Sequence, residues 1–174
     1  QRRGARVVIA CPAYVYGPGD AGPGGRFISD LLRGRVPALV SETAWFSFVH
    51  VDDAVEGLVR VGDSGRIGAV YVLSGEALSF HDWVRAVAAA AGAKVPPLRI
   101  PATLARTTGR LLDRVSRTTG WRFPLTAEGI ELVARGRWLH PHDRATRELG
   151  WTPRSVAEGL PETVAWFRAK QARS

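Results

Sequence analysis

The chain has 174 residues and an apolar share of 45%, enough for one domain or slightly more and for a sizeable core. Its net charge of +8 rests on basic residues that are all arginine apart from Lys94 and Lys170, spread along the chain without a block of like charge. That spread, with no zinc-finger spacing and no RNA-binding aromatic signature, argues against a nucleic-acid partner, and no apolar run is long enough to span a bilayer.

Val7 to Cys11 are apolar throughout, which predicts a strand over 6–11 covered on both faces, as in a parallel sheet. Cys11 is the only cysteine, so no disulfide forms within the chain and a cytoplasmic home is expected. Gln1-Arg2-Arg3-Gly4 leads straight into that strand, without the apolar middle of a signal peptide. The Gly/Pro cluster 17–25 predicts a loop, and Phe27, Ile28, Leu31 and Leu32 a helix stopped by Gly34. Phe46 to His50 alternate as a strand, within a small strand element over 37–50. Asp52-Asp53 then predict the N-cap of a helix burying Val55, Leu58 and Val59. Residues 69–73 predict another strand.

Ser79 with Asp82 marks the next helix start, its buried stripe running through Phe80, Trp83, Val84, Val87 and Ala91 to a stop at Gly92. Pro96-Pro97 to Pro101 predict an extended connector. Leu104, Thr108, Leu111, Leu112 and Val115 form a further stripe, and 126–135 a weaker helix interrupted by Gly129. His142 to Leu149 predict a short helix ending at Gly150. Ser155 with Glu158 opens a last one that buries Leu160, Val164 and Phe167. Strands early and helices late argue for an α/β sheet edge with interleaved lobe elements over 1–75, followed by a helical lobe over 76–174.

Gly17-Pro18-Gly19-Asp20-Ala21-Gly22 satisfies G-x-G-x-x-G, but its chemistry is wrong for a pyrophosphate loop. Such a loop aims free backbone N–H groups and a helix N-terminus at anionic oxygens. Pro18 removes one N–H, Asp20 adds a negative charge, and Pro23 with more glycines follows in place of a helix. The three tyrosines are Tyr14, Tyr16 and Tyr71; four residues on stand Pro18, Asp20 and Gly75, so no tyrosine has a lysine partner to lower its pKa. His50 with Asp52 and Asp53 reads as a packed histidine near a helix start rather than a metal cluster, and no metal site is expected. His140 and His142 read as solvated or capping, His81 as lying on the polar side of its helix, and Cys11 as buried and inert. Trp83, Trp121, Trp138, Trp151 and Trp166 read as packing residues.

The motifs, in order, resemble one family. Pro12 to Pro18 is similar to a P-x-x-V-Y-G-P segment, Gly25-Arg26-Phe27-Ile28 to the helix start that follows it, and Phe48 to Asp53 to F-V-H-V-D-D. Gly65 through Glu76 resembles G-x-x-G-x-x-Y-x-L-x-G-E, and Arg144 through Pro153 resembles K-A-x-x-E-L-G-W-x-P. Together they resemble the second half of an extended short-chain dehydrogenase/reductase of the NAD-dependent epimerase/dehydratase group, near the dihydroflavonol-reductase-like set and its hopanoid-associated sugar epimerases.

The resemblance implies an incomplete NAD(P)-binding Rossmann fold whose outer parallel strands lie near 6–11 and 69–73, carrying a mainly helical substrate lobe. It implies a cofactor, NAD or NADP, against Pro12, Ala13 and Val15, and a substrate against Tyr14, Arg26, Trp45 and Ser47. It implies oxidation, reduction or epimerisation of a carbonyl or alcohol on a sugar, aromatic or lipid-like molecule, with the isolated chain inactive. A non-catalytic small-molecule binding module derived from the same fold is the alternative. Cys11 stands where many relatives carry Arg, and Trp45-Phe46-Ser47 fills the stretch where sugar-nucleotide epimerases carry an Arg for the diphosphate. The strand at 6–11 is expected to leave one edge unpaired or covered by a second copy or partner chain, beside an exposed apolar patch.

Overall fold

The computed structural model describes residues 6–41, 43–105, 107, 130–132 and 136–173. The first strand, β1 (Ile9–Pro12), pairs in parallel with β5 (Val70–Leu73), with Ile9 opposite Val70 and Pro12 opposite Leu73. These are the two outer parallel strands expected. At Ala13 the chain changes partner: its amide still donates to the Leu73 carbonyl at 3.0 Å, while β2 (Tyr14–Tyr16) runs parallel to β4 (Trp45–His50). β4 also pairs antiparallel with β6 (Ala77–Ser79) and in parallel with β8 (Arg137–Trp138). β3 (Ala38–Val40) pairs in parallel with β7 (Leu98–Ile100), so the proline-framed connector contains a short strand that its composition did not suggest.

Five helices whose full extent is described complete the architecture, and residues 102–105 and 130–132 are helical as well. α1 (Pro23–Leu32) begins four residues before its first apolar contact residue, with a proline in its first turn, where the missing N–H costs nothing. The expected loop over 17–25 therefore ends early, and a helix does follow the glycine-rich stretch. α2 (Val51–Ser64) is capped by His50, whose Nδ1 accepts from the Asp52 amide at 3.4 Å, so Asp52 and Asp53 occupy its first turn rather than the cap. α3 (Phe80–Ala91) starts at the Ser79 cap and stops at Gly92 in the left-handed region (φ 58°). α4 (Asp143–Leu149) ends at Gly150, and α5 (Val156–Ala172) opens with the full Ser155–Glu158 capping box. The stripe beyond Leu104 and most of 126–135 lie outside the described residues.

Two packed layers result. Phe46, Phe48, Trp83, Val84, Val87, Leu160 and Phe167 fill the space between β2–β4 and helices α1, α3 and α5, with Phe48 stacked on Trp83 at 5.2 Å. Val49, Ala54, Val61, Tyr71, Leu73 and Trp151 fill the space between β5, α2 and α4. The buried side of α2 is Asp53, Ala54, Gly57 and Val61, and not the expected Val55, Leu58 and Val59, which are exposed. The small residues turn inward because α2 lies close on β5: a Cβ on Gly57 would sit 2.7 Å from Leu73 and 3.0 Å from the Trp151 indole nitrogen.

β1 also departs from expectation. It is largely exposed, Cys11 included, because no described strand pairs with its far edge and little packs on its faces. No described helix is long and apolar enough to cross a membrane.

Candidate active-site cleft and the junction behind it

An open cavity of about 520 Å³ lies where β1 hands over to β2. Cys11, Pro12, Ala13 and Tyr14 form one wall, Phe46 and Val72 the floor, and Leu132, Trp138 and His140 the far side. Local geometry explains the grouping. β8 pairs with β4 so that Trp138 stands opposite Phe46. The chain after β8 is then held in place: the His140 amide donates to Ser47 Oγ at 3.2 Å, and Ser74 Oγ donates to the His140 carbonyl.

Pro12, Ala13 and Tyr14 therefore meet at one cleft, and the other expected site residues do not line it. Val15 lies opposite Val49 and packs toward the Trp151 side of the core. Arg26 is exposed on α1, and Trp45 is exposed beside Arg137. Ser47 is buried and reaches the cleft only through His140. Sequence reading missed Leu132, Trp138 and His140. Their signal is weak, since only the β8 pairing, an unpatterned two-residue contact, brings them to the cleft.

Tyr14 is wedged between Phe46, Phe48 and Trp83, at ring distances of 5.5, 5.2 and 6.4 Å. Burial first, and then the Asp20 carboxylate, push its hydroxyl up to about 12. It stays protonated at neutral pH and can donate a hydrogen bond, but it is no general base. A Cβ on Gly24 would lie 2.6 Å from that hydroxyl, so glycine there makes room for it. Asp20 Oδ1 accepts the Gly22 amide at 2.7 Å, and this takes up an N–H at the start of α1 that a phosphate loop would need.

Behind the cleft the family-like motifs converge on one junction. Asp53 accepts from the Arg154 guanidinium at 2.9 and 3.0 Å and from the Arg154 amide at 2.9 Å, while Trp151 Nε1 donates to the Asp53 carbonyl at 2.9 Å. Glu76 accepts the Val156 amide at 2.8 Å and so caps α5. A side chain on Gly75 would collide with the Phe48 carbonyl. His50, Asp52 and Glu162 bring ligand-type atoms within 4.8 Å of one another. Arg154 already sits 3.9 Å from both carboxylates, so the charge a cation would supply is present as a guanidinium. His142 lies edge-on to Trp151, and His81 is half-buried with Nε2 2.8 Å from the Val40 carbonyl, tying α3 to β3 rather than facing solvent.

The NAD-dependent epimerase/dehydratase family model matches residues 1–74. Sterol demethylase protein B of Methylococcus capsulatus is 31% identical over 97% of this chain and 52% of its own length. Ceramide reductase of Caulobacter vibrioides is 28% identical over 94% of this chain and 51% of its own. A crystal structure of a nucleoside-diphosphate-sugar epimerase from Pseudomonas aeruginosa superimposes with a TM-score of 0.73 at 27% identity, covering 97% of this chain and 50% of that one. The chain thus spans about half the length of the relatives it matches. With the parallel β1–β5 pair and the motif-built junction beside these likenesses, the chain is similar over its first 74 residues to the NAD-dependent epimerase/dehydratase family and shares the Rossmann-type α/β architecture of the solved structure it matches.

Proposed function

We propose that this chain is the substrate-side half of an NAD(P)-dependent oxidoreductase or epimerase that acts on a carbonyl or alcohol of a small molecule. The observation that carries this reading is the meeting of Pro12, Ala13 and Tyr14 at an open cleft at the end of a parallel strand, the usual ligand position in such sheets. NAD or NADP, when bound, supplies the hydride acceptor or donor. Pro12 and Ala13 offer an apolar wall that fits one face of a nicotinamide, with the Val15 backbone beyond them; Tyr14 donates a hydrogen bond or packs against substrate. Arg26, Trp45 and Ser47 act from outside the lining, Ser47 by fixing His140. Two relatives are named for sterol and ceramide chemistry and one structural neighbour for a nucleoside-diphosphate sugar, so both substrate classes occur among similar proteins.

On this reading the chain alone is inactive, because none of its tyrosines has the lysine that proton transfer requires. The free edge of β1 and the apolar face of α2 would be covered by further strands and helices of the dinucleotide-binding half, and the protein would work in the cytoplasm. The test is the coding sequence preceding Gln1, together with an NADH titration. An in-frame glycine-rich dinucleotide motif and a Tyr-x-x-x-Lys are expected, with turnover only when they are present. A preceding sequence that lacks both, or tight NADH binding by the 174-residue chain alone, would overturn the proposal.

A further inference from the structure

We infer that this chain carries a docking surface for an anionic phospholipid layer, lying on the layer without crossing it, at the end of the molecule where three helices finish together. Two side chains bring those helix ends to one place. Arg168, in the last turns of α5, donates to the carbonyl of Ala91, the final residue of α3. Gln171 of α5 donates to the Ser29 carbonyl at 3.1 Å and to Ser29 Oγ at 3.2 Å, in the last turn of α1. Exposed cations cluster there: Arg33 and Arg35 just past α1, Lys94 just past α3, and Arg168, Lys170 and Arg173 at the end of α5. Asp30 is the one carboxylate among the described residues of these turns.

Helix ends explain part of this charge. C-terminal carbonyls carry partial negative charge. Arg168 on Ala91 answers it, and Arg173 Nε answers it on the Ala169 carbonyl at 3.2 Å. Lys170 lies over the Trp166 ring, 5.0 Å from its centre. Arg33, Arg35 and Lys94 remain, and none has a carboxylate within ion-pair distance among the described residues. An exposed apolar residue stands close to them. β3 leaves α1 through Arg35-Val36-Pro37, β7 leaves α3 through Lys94 to Pro97, and the two strands pair from their first residues, Ala38 opposite Leu98. At most about 14 Å of chain separates Leu98 from Lys94, and about 11 Å separates Ala38 from Arg35. Leu98 is 60% exposed. An exposed leucine flanked by cations suits a lipid interface: the leucine enters the acyl boundary while the cations stay at the phosphates. A nucleic acid would use the cations and leave the leucine in water, since its bases are held by stacking rings. Each lysine or arginine beside an anionic leaflet strengthens attachment about fivefold.

The experiment is flotation of the 174-residue protein with phosphatidylcholine vesicles that contain about 30% phosphatidylserine or none. Attachment to the anionic vesicles alone is expected, weakening as salt is raised. Arg33→Gln, Arg35→Gln and Lys94→Gln combined, all at exposed positions, should lower it about hundredfold, and Leu98→Gln about tenfold. Arg6→Gln, Arg26→Gln and Arg147→Gln combined remove the same charge from exposed positions before β1, in the first turn of α1 and on α4, and should lower it less than about threefold. No attachment to anionic vesicles, equal losses from the two triple variants, an undiminished Leu98→Gln, or attachment to duplex DNA as tight as to vesicles at the same salt overturns the inference. None of these results bears on the cleft or on the sequence preceding Gln1, so the reading as an NAD(P)-dependent enzyme stands or falls separately.

Discussion

Valines on two faces of this molecule meet opposite fates. Val84 and Val87 on α3 are fully sealed beneath Phe48 and Trp83, whereas Val55 and Val59 on α2 remain 53% and 56% exposed, as do Ile9 on β1 at 49% and Val70 beside it at 42%. The apolar periodicity of α2 is as regular as that of α3, since Val55, Leu58 and Val59 follow the i, i+3, i+4 rule of a buried stripe. Pattern alone therefore does not say whether a stripe is covered by the same polypeptide. On α2 the stripe has no described partner and lies beside a strand edge that no described strand pairs. That agrees with a chain spanning about half of its relatives.

The strongest way to sharpen the contrast is to truncate its sealed end. Trp151 is buried and its indole N–H closes on the Asp53 carbonyl. Trp151→Ala is expected to cost about 3–5 kcal/mol in urea denaturation, through the cavity it opens and the acceptor it orphans. The matched pair Val84→Ala and Val59→Ala then tests the comparison with chemistry held constant. Val84→Ala is expected to cost about 2 kcal/mol, and Val59→Ala to stay within about 0.5 kcal/mol of wild type. Equal costs would show α2's outer face to be covered, and the contrast between the two faces would collapse.

The same contrast explains what was legible in the sequence. Caps and stops were readable because each is a local hydrogen-bonding rule: Ser79 with Asp82, Gly92, Gly150, and Ser155 with Glu158 all stand where their chemistry placed them. The parallel partnership of β1 and β5 was readable from the motif order, not from any local signal. Burial was misread wherever a neighbour was assumed. Cys11 and the α2 stripe look like core residues in every respect except that nothing described packs on them. At the cleft, Pro12 to Tyr14 lie together because they are continuous in sequence, whatever their role there. Trp138 and His140 were not legible, because a single Phe46–Trp138 register between strands distant in sequence decides their position.

The smallest expected effect probes the sealed side through its charge. His50 is fully buried against Tyr16, and burial first, then the Arg154 guanidinium, hold its pKa below the usual 6.5 despite Asp52, Glu162 and Asp53 nearby. The folded state therefore binds fewer protons than the unfolded state between the two values. Its stabilising contribution is whole above pH 6.5 and is lost as pH falls from 6.5 toward the lower folded value. The slope from one such group is at most about 1.4 kcal/mol per pH unit, and His81, lowered by burial as well, adds in the same direction. His50→Asn keeps an acceptor for the Asp52 amide at the cap while removing the titrating ring. Its absolute stability drops with the lost Tyr16 contact, but its stability should decline less steeply than wild type below pH 6.5, measured as urea midpoints across pH 5 to 8. An unchanged slope would mean that His50 takes up its proton in the folded protein as readily as in the unfolded one. Water would then reach the side of the molecule that packing has closed.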